Sequence, residues 1–114
     1  PSTLTFLSIY YCNKIKDDSL QYLPPNLIHL ILENCINVSG IGFKYLPLSL
    51  KKLEINDGKY LTDEGMKLLH NFTIIQSLNL SSNNNITNEG MKYLPVSLTS
   101  LHLSFDDEQY ITSE

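Results

Sequence analysis

The chain has 114 residues, of which 42% are hydrophobic, and its net charge at pH 7 is −4. This length and composition fit one folded domain of ordinary make-up. All 8 positively charged residues are lysines. Because arginine is the residue best suited to bidentate phosphate recognition, we expect no nucleic-acid binding. No apolar run approaches the roughly 18 residues that a membrane-spanning helix needs, so we expect no membrane partner.

Apolar residues recur at a regular spacing along the whole chain. Two of them two positions apart, such as Leu53 and Ile55, predict one face of a strand. Two others three apart, such as Met66 and Leu69, predict one face of a short helix. The first residue of each such strand pair is a leucine, which we call the anchor leucine. The anchor leucines are Leu7, Leu30, Leu53, Leu78 and Leu101. Successive anchors are 23 residues apart, except for 25 between the third and the fourth.

This spacing predicts the order of the elements. The predicted strands lie near 5–10, 28–33, 51–56, 76–81 and 99–104, and the predicted helices near 17–23, 40–46, 63–69 and 88–94. Asp17 and Asp63 open predicted helices, where negative charge favours the helix dipole. We expect the anchor leucines to form a column that is fully buried from end to end. The tyrosines Tyr22, Tyr45 and Tyr93 align beside the helix ends, and we expect them to form a packing stripe on the outer face.

A period of about 20–29 residues built on L-x-x-L-x-L-x-x-N/C is typical of leucine-rich repeats, and the whole chain resembles that superfamily. Residues 12–15 (Cys-Asn-Lys-Ile) and 61–66 (Leu-Thr-Asp-Glu-Gly-Met) resemble the cysteine-containing class that F-box substrate adaptors commonly carry. The joints at 46–50 (Leu-Pro-Leu-Ser-Leu) and 94–98 (Leu-Pro-Val-Ser-Leu) resemble those of FNIP-type repeats. The later units depart from the cysteine pattern and replace the cysteine with Gly58, Asn83 and Asp106.

The resemblance implies an α/β fold, a leucine-rich repeat solenoid that forms a segment of a horseshoe. A parallel sheet would line the concave face and short helices the convex face. We expect residues 1–114 to form a single leucine-rich repeat domain of about four complete repeats and a truncated fifth. Because no polar cap precedes the first repeat or follows the last, we expect the chain to be a fragment of a longer array.

Cys12 and Cys35 occupy the same repeat position, one repeat apart. We expect two free thiols in a column of small buried side chains whose polar atoms meet turn backbone groups, a role shared with Asn83 and Asp106. A disulfide is the alternative, because adjacent coils bring the two backbones within bonding range. Disulfides, however, favour oxidising compartments.

The chemistry-bearing residues do not form a recognisable site. The three histidines, which fall on different repeats, are His29, His70 and His102, and zinc generally needs four ligands. We therefore expect no metal site. The acidic run 106–108 predicts a solvated loop, with a calcium site as the alternative. No nucleophile elbow, phosphate loop or zinc-protease motif is present, so we expect no catalytic residues and no cofactor.

Residues flanking the buried anchors of each strand must face the concave side. On the first three repeats these are the candidate partner-binding residues Phe6, Ser8, Tyr10, His29, Ile31, Glu33, Lys52, Glu54 and Asn56. We expect Phe6, Tyr10 and Ile31 to be exposed there among charged neighbours, which is the usual composition of a protein-binding hot spot. The later repeats offer mainly serine and asparagine, with Ser104 in the last predicted strand.

These features predict a non-catalytic protein–protein interaction scaffold that binds a protein partner on the concave sheet face, in an intracellular, cytoplasmic setting. The resemblance to cysteine-containing repeats implies the substrate-recognition part of a larger adaptor. The alternative is an extracellular or surface ligand-binding repeat domain that bears N-linked glycans. That alternative follows from the glycosylation triplets at Asn37, Asn71, Asn79 and Asn85.

Overall fold

A computed structural model describes residues 3–58, 60–83 and 85–103. The described residues form a five-stranded parallel sheet whose strand order follows the chain. Its strands are β1 (Phe6–Tyr10), β2 (His29–Glu33), β3 (Lys52–Asn56), β4 (Ser77–Asn79) and β5 (Ser100–His102). The connecting helices are the 3₁₀ helices η1 (Asp17–Tyr22) and η2 (Ile41–Tyr45) and the α-helices α1 (Asp63–Leu69) and α2 (Asn88–Met91). Ser104 and the acidic run 106–108 lie outside the described residues.

The sheet register reproduces the sequence repeat. Each anchor leucine pairs with the anchor of the next strand, from Leu7 and Leu30 through to Leu101. The predicted α/β solenoid with a parallel sheet is therefore confirmed. The two extra residues of the longer repeat do not disturb this register. They continue the helical turn after α1, where Phe72 donates to the Leu69 carbonyl and is 4% exposed in the core.

The anchor column is not buried from end to end, so that prediction is wrong at both ends. Leu30 and Leu53 are 0% exposed and Leu78 is 1% exposed, whereas Leu101 is 41% exposed and Leu7 is half-buried. A coil of a solenoid buries its apolar face only against its neighbours. The first and last described coils have a described neighbour on one side only, which leaves their anchors partly uncovered.

The predicted helices at 17–23 and 40–46 are 3₁₀ helices, and the predicted 88–94 helix is one α-turn long. A 3₁₀ helix rises about 2.0 Å per residue and an α-helix about 1.5 Å, so a 3₁₀ helix spans the same distance with fewer residues. The 23-residue coils therefore cover the convex side with 3₁₀ turns or a single α-turn. The coil with two extra residues accommodates the seven-residue α1.

Acidic side chains link neighbouring coils on the convex side. The Asp17 carboxylate accepts hydrogen bonds from the backbone N–H groups of Gly40 and Gly42, at 3.0 and 2.9 Å. Asp63 accepts one from the Thr87 N–H at 2.8 Å. The sequence predicted that these carboxylates interact favourably with the dipoles of their own helices. Both residues do lie in the first turns of their helices, as predicted, and their hydrogen bonds in addition join each coil to the next one.

The tyrosine column is not a packing stripe, so this prediction is wrong. Tyr22 is 82% exposed, and Tyr45 is 37% exposed with the Lys44 ammonium 5.1 Å from its ring centroid. Only Tyr93 of the three is half-buried, with its ring edge-on to His70. The buried residues of the helices fill the interior, which leaves the tyrosines on the outer surface.

Candidate functional site

The concave face of β1, β2 and β3 carries all nine predicted site residues. Alternation along each strand puts them on the face opposite the buried anchors. Phe6 is 49% exposed and Tyr10 is 54% exposed, and Lys52 is also exposed. The remaining members are half-buried: Ser8, His29, Ile31, Glu33, Glu54 and Asn56. The sheet therefore brings the nine residues together as one surface.

Ile31 differs from the prediction, because it is half-buried rather than exposed. It lies on the middle strand of the three, with Ser8 and Glu54 as its register partners. Side chains on both neighbouring strands therefore limit its access to solvent. Ile31 forms the floor of the surface, and the exposed aromatic side chains Phe6 and Tyr10 lie on β1 beside it.

A network of three side chains crosses the three strands. The Phe6 ring packs edge-on against His29, with 4.9 Å between the ring centroids. His29 Nε2 hydrogen-bonds the Glu54 carboxylate at 2.7 Å, and the two side chains are 25% and 29% exposed. This pairing is diagonal, since the register partner of His29 is Lys52. The network places an exposed aromatic ring against a hydrogen-bonded pair of side chains.

Two polar atoms of this face are covered and have no hydrogen-bond partner in the described part of the chain. They are Ser8 Oγ and Asn56 Oδ1. Buried polar groups in folded proteins are usually paired with protein or ordered water. The first three repeats therefore retain hydrogen-bonding capacity that the described protein groups do not use.

The fourth strand offers a different surface. Asn79 Oδ1 accepts hydrogen bonds from the Ser81 N–H at 3.1 Å and the Ser81 hydroxyl at 2.6 Å. The short polar side chains there bond to each other. Ser77 and Asn79 are half-buried, and the fifth strand adds exposed Ser100 and His102.

The strands end in left-handed turns, which sequence reasoning missed. A residue with positive φ follows the strand in each of the first four coils: Tyr11 (54°), Asn34 (57°), Asp57 (56°) and Ser82 (60°). Tyr11 donates its N–H to the Glu33 carbonyl at 2.8 Å and is 69% exposed beside Tyr10. Asn34 and Asp57 are a local signal for these turns, because asparagine and aspartate are enriched in the left-handed region, whereas Tyr11 gives no such signal.

The column that follows the turns is structural. Cys12 and Cys35 are free thiols, as predicted, and Cys35 Sγ lies 3.7 Å from the Ile9 carbonyl oxygen that accepts its weak hydrogen bond. Burial raises the pKa of the Cys35 thiol. Because the thiolate is the reactive form, Cys35 is poorly suited to nucleophilic chemistry or metal binding at neutral pH.

A depression lies beside η1 on the outer surface of the described residues. It is lined by Lys16, Asp17, Asp18, Asn37 and Ile41. The Asp17 carboxylate there is occupied by backbone N–H groups of the next coil. Across the described residues, no group of three His, Cys, Asp or Glu side chains is placed to hold a metal ion. No helix within them is long and apolar enough to cross a membrane.

Parallel strands in chain order, with short helices between them and a period of 23 or 25 residues, define a solenoid with a sheet on its concave face. The Leucine Rich repeat family model matches residues 48–69 and 73–94, which lie in the third and fourth coils. These matches identify the third and fourth coils as leucine-rich repeats, and the other described strands continue the same register. No solved structure matches it. Leucine-rich repeats generally mediate protein–protein interaction and are typically non-catalytic modules.

Proposed function

We propose that this protein is a non-catalytic scaffold that binds a protein partner on the concave face of β1, β2 and β3. The observation that carries the proposal is the Phe6–His29–Glu54 network, which orients an exposed aromatic ring on a parallel sheet. Exposed Tyr10 supplies a second aromatic side chain at the other end of β1. Aromatic anchors surrounded by polar groups are typical of binding hot spots.

The rigidity of the sheet supports the same function. Backbone hydrogen bonds to β2 fix β1, and the His29 contact restricts the Phe6 side chain before any partner arrives. Binding at a preordered surface loses less conformational entropy than binding at a mobile one. Solenoids commonly use such extended concave surfaces for binding.

The test is affinity capture of partners from cells with four versions of the protein. These are the wild type, Phe6→Ala, Tyr10→Ala and the matched control Tyr22→Ala, which removes a tyrosine that is 82% exposed on the outer surface. A partner of the concave face should bind the control as well as it binds the wild type. Phe6→Ala or Tyr10→Ala should each weaken binding by more than about 1 kcal/mol, which is roughly fivefold in Kd.

Lys67→Ala serves as a second control, because Lys67 lies on α1 and forms an exposed ion pair with Glu64 at 3.1 Å. Exposed pairs of this kind contribute little to stability, so the variant should fold normally. A partner that tolerates both concave-face variants but is lost with Lys67→Ala or Tyr22→Ala would place binding on the outer surface and overturn the proposal.

A more specific role follows from the resemblance to cysteine-containing repeats. We propose that the scaffold is intracellular and serves as the substrate-recognition part of a larger adaptor. Free Cys12 and Cys35 on adjacent coils agree with a reducing compartment. If the bound protein is a substrate for degradation, Tyr10→Ala should lengthen its lifetime in cells. An unchanged lifetime despite lost binding would exclude this role.

The exposure of the asparagines in three glycosylation triplets supports a second candidate function, an extracellular ligand-binding repeat domain. Asn37, Asn71 and Asn85 are exposed, whereas Asn79 is half-buried in β4. The Asn37 side chain donates a hydrogen bond to the Asn13 carbonyl. Glycans at Asn71 or Asn85 would leave the concave face of β1 to β3 open. A mass decrease on treatment of the native protein with peptide N-glycosidase would favour this function over the intracellular one.

A further inference from the structure

Charge is distributed unevenly along the strands of the concave face. Lys51 and Lys52 are exposed at the amino end of β3, whereas Glu33 ends β2 and exposed Asp57 follows β3. The strands are parallel and in register, so their carboxyl ends lie together at one edge of the sheet. Among the described residues of β2 and β3, that edge is acidic and the amino-end edge is basic.

The two carboxylates of the face differ in their surroundings. Glu54 accepts a hydrogen bond from His29, so its charge is engaged within the sheet. Glu33 is half-buried and has no side-chain hydrogen bond or ion pair with any described residue. Lys52 lies at the other end of the neighbouring strand β3, about 13 Å from Glu33 along the strand direction. A half-buried carboxylate without a counter-charge favours a cation from outside.

An exposed aromatic ring accompanies this carboxylate. Tyr10 and Glu33 are register partners, so their side chains project from the same face of strands about 4.8 Å apart. Tyr10 is 54% exposed and its ring is accessible to a ligand. A carboxylate attracts an ammonium or guanidinium group through a charge-assisted hydrogen bond, and a tyrosine ring adds a cation–π contact.

We propose that Tyr10 and Glu33 together bind a lysine or arginine side chain of the partner protein, while Phe6 packs against an apolar residue of the same segment. This inference rests on the function proposed above. Phe6 and Tyr10 are four residues apart on β1, or about 13 Å. In an extended partner segment that separation corresponds to about four residues. The partner segment thus carries one basic and one apolar residue at this spacing.

Random-sequence peptides displayed on phage and selected on the wild-type protein provide the probe. The selected peptides should be enriched in lysine or arginine, with an apolar residue about four positions away. Glu33→Gln should weaken them by about tenfold, because the amide oxygen still accepts a hydrogen bond but the negative charge that attracts the cation is lost. Glu64→Gln, which removes an exposed carboxylate from α1, should leave affinity unchanged. Glu33→Lys should shift a new selection toward acidic peptides.

The outcomes separate this inference from the function on which it rests. Peptides that lose affinity with Phe6→Ala but lack basic residues, or ignore Glu33→Gln, overturn the cation site and leave the concave-face function standing. Peptides that bind all the concave-face variants equally well overturn both. A selection that yields no enriched peptide also counts against both.

Discussion

Single residues at the strand ends carry backbone strain. Tyr11 has φ of 54°, a left-handed conformation that asparagine tolerates and tyrosine does not favour. Asn34 occupies the equivalent position of the next coil with φ of 57°. Tyr11 is 69% exposed, so burial of its ring offsets little of the free-energy cost of the backbone strain. Its presence beside Tyr10 suits a surface that binds rather than one optimised for stability.

Tyr11→Asn should therefore raise the free energy of unfolding, by roughly 1 kcal/mol. The reason is that asparagine adopts the left-handed conformation at lower cost. Urea denaturation followed by circular dichroism measures the change. Tyr11→Phe is the matched control and should leave stability unchanged, since it keeps the strained conformation. A lower stability for Tyr11→Asn would mean that ring contacts outweigh the backbone strain.

Neighbouring elements are joined by side chains that reach from one coil to the next. Asn83 is 1% exposed and donates from Nδ2 to the Ile55 carbonyl at 2.6 Å and the Ser81 carbonyl at 3.1 Å. Its Oδ1 accepts from the Gly58 N–H at 3.1 Å. A Cβ at Gly58 would lie 2.5 Å from that oxygen. Because Gly58 has no side chain, the Asn83 side chain of the next coil can approach and accept a hydrogen bond from the Gly58 N–H.

Asn83→Ala should lower the free energy of unfolding by about 1–3 kcal/mol, because it removes the side-chain acceptor of the buried Gly58 N–H and the hydrogen bond to the Ile55 carbonyl. Thermal or urea denaturation measures the loss. Asn71→Ala removes an exposed asparagine and should be nearly neutral. Equal stability of the two variants would show that water replaces the Asn83 hydrogen bonds.

At the scale of the whole molecule, stability depends on contacts between neighbouring coils. Leu30, Leu53 and Leu78 are buried between coils on both sides, and Leu7 and Leu101 are not. The described core is therefore an elongated column, and removing one side chain affects chiefly the adjacent coils.

Leu53→Ala should lower the free energy of unfolding by roughly 2–5 kcal/mol through loss of burial and the cavity that remains. Leu101→Ala should cost less than half as much, because Leu101 is already 41% exposed. Urea titrations of the two variants provide the comparison. Equal losses would indicate one cooperative globular core instead of a solenoid with nearest-neighbour contacts.

The sequence by itself determined the architecture and the register of this protein. Anchors spaced 23 or 25 residues apart predicted the parallel strands, because each coil must align its apolar residues with those of the next to bury them. The same alternation correctly placed Phe6, Tyr10 and Lys52 on the concave face. Periodicity alone was sufficient for these features, since it reflects which side of a strand each residue occupies.

Only the tertiary structure decided how side chains pair across coils. His29 bonds Glu54 instead of its register partner Lys52, and the side chain of Asp17, the first residue of η1, bonds the next coil. These pairs join residues more than 20 positions apart, and their geometry depends on coil spacing and side-chain rotamers. Apolar periodicity carries no information about either. The partial exposure of Leu101 likewise was not predictable from the repeat, because the burial of an anchor leucine depends on how many coils pack against it.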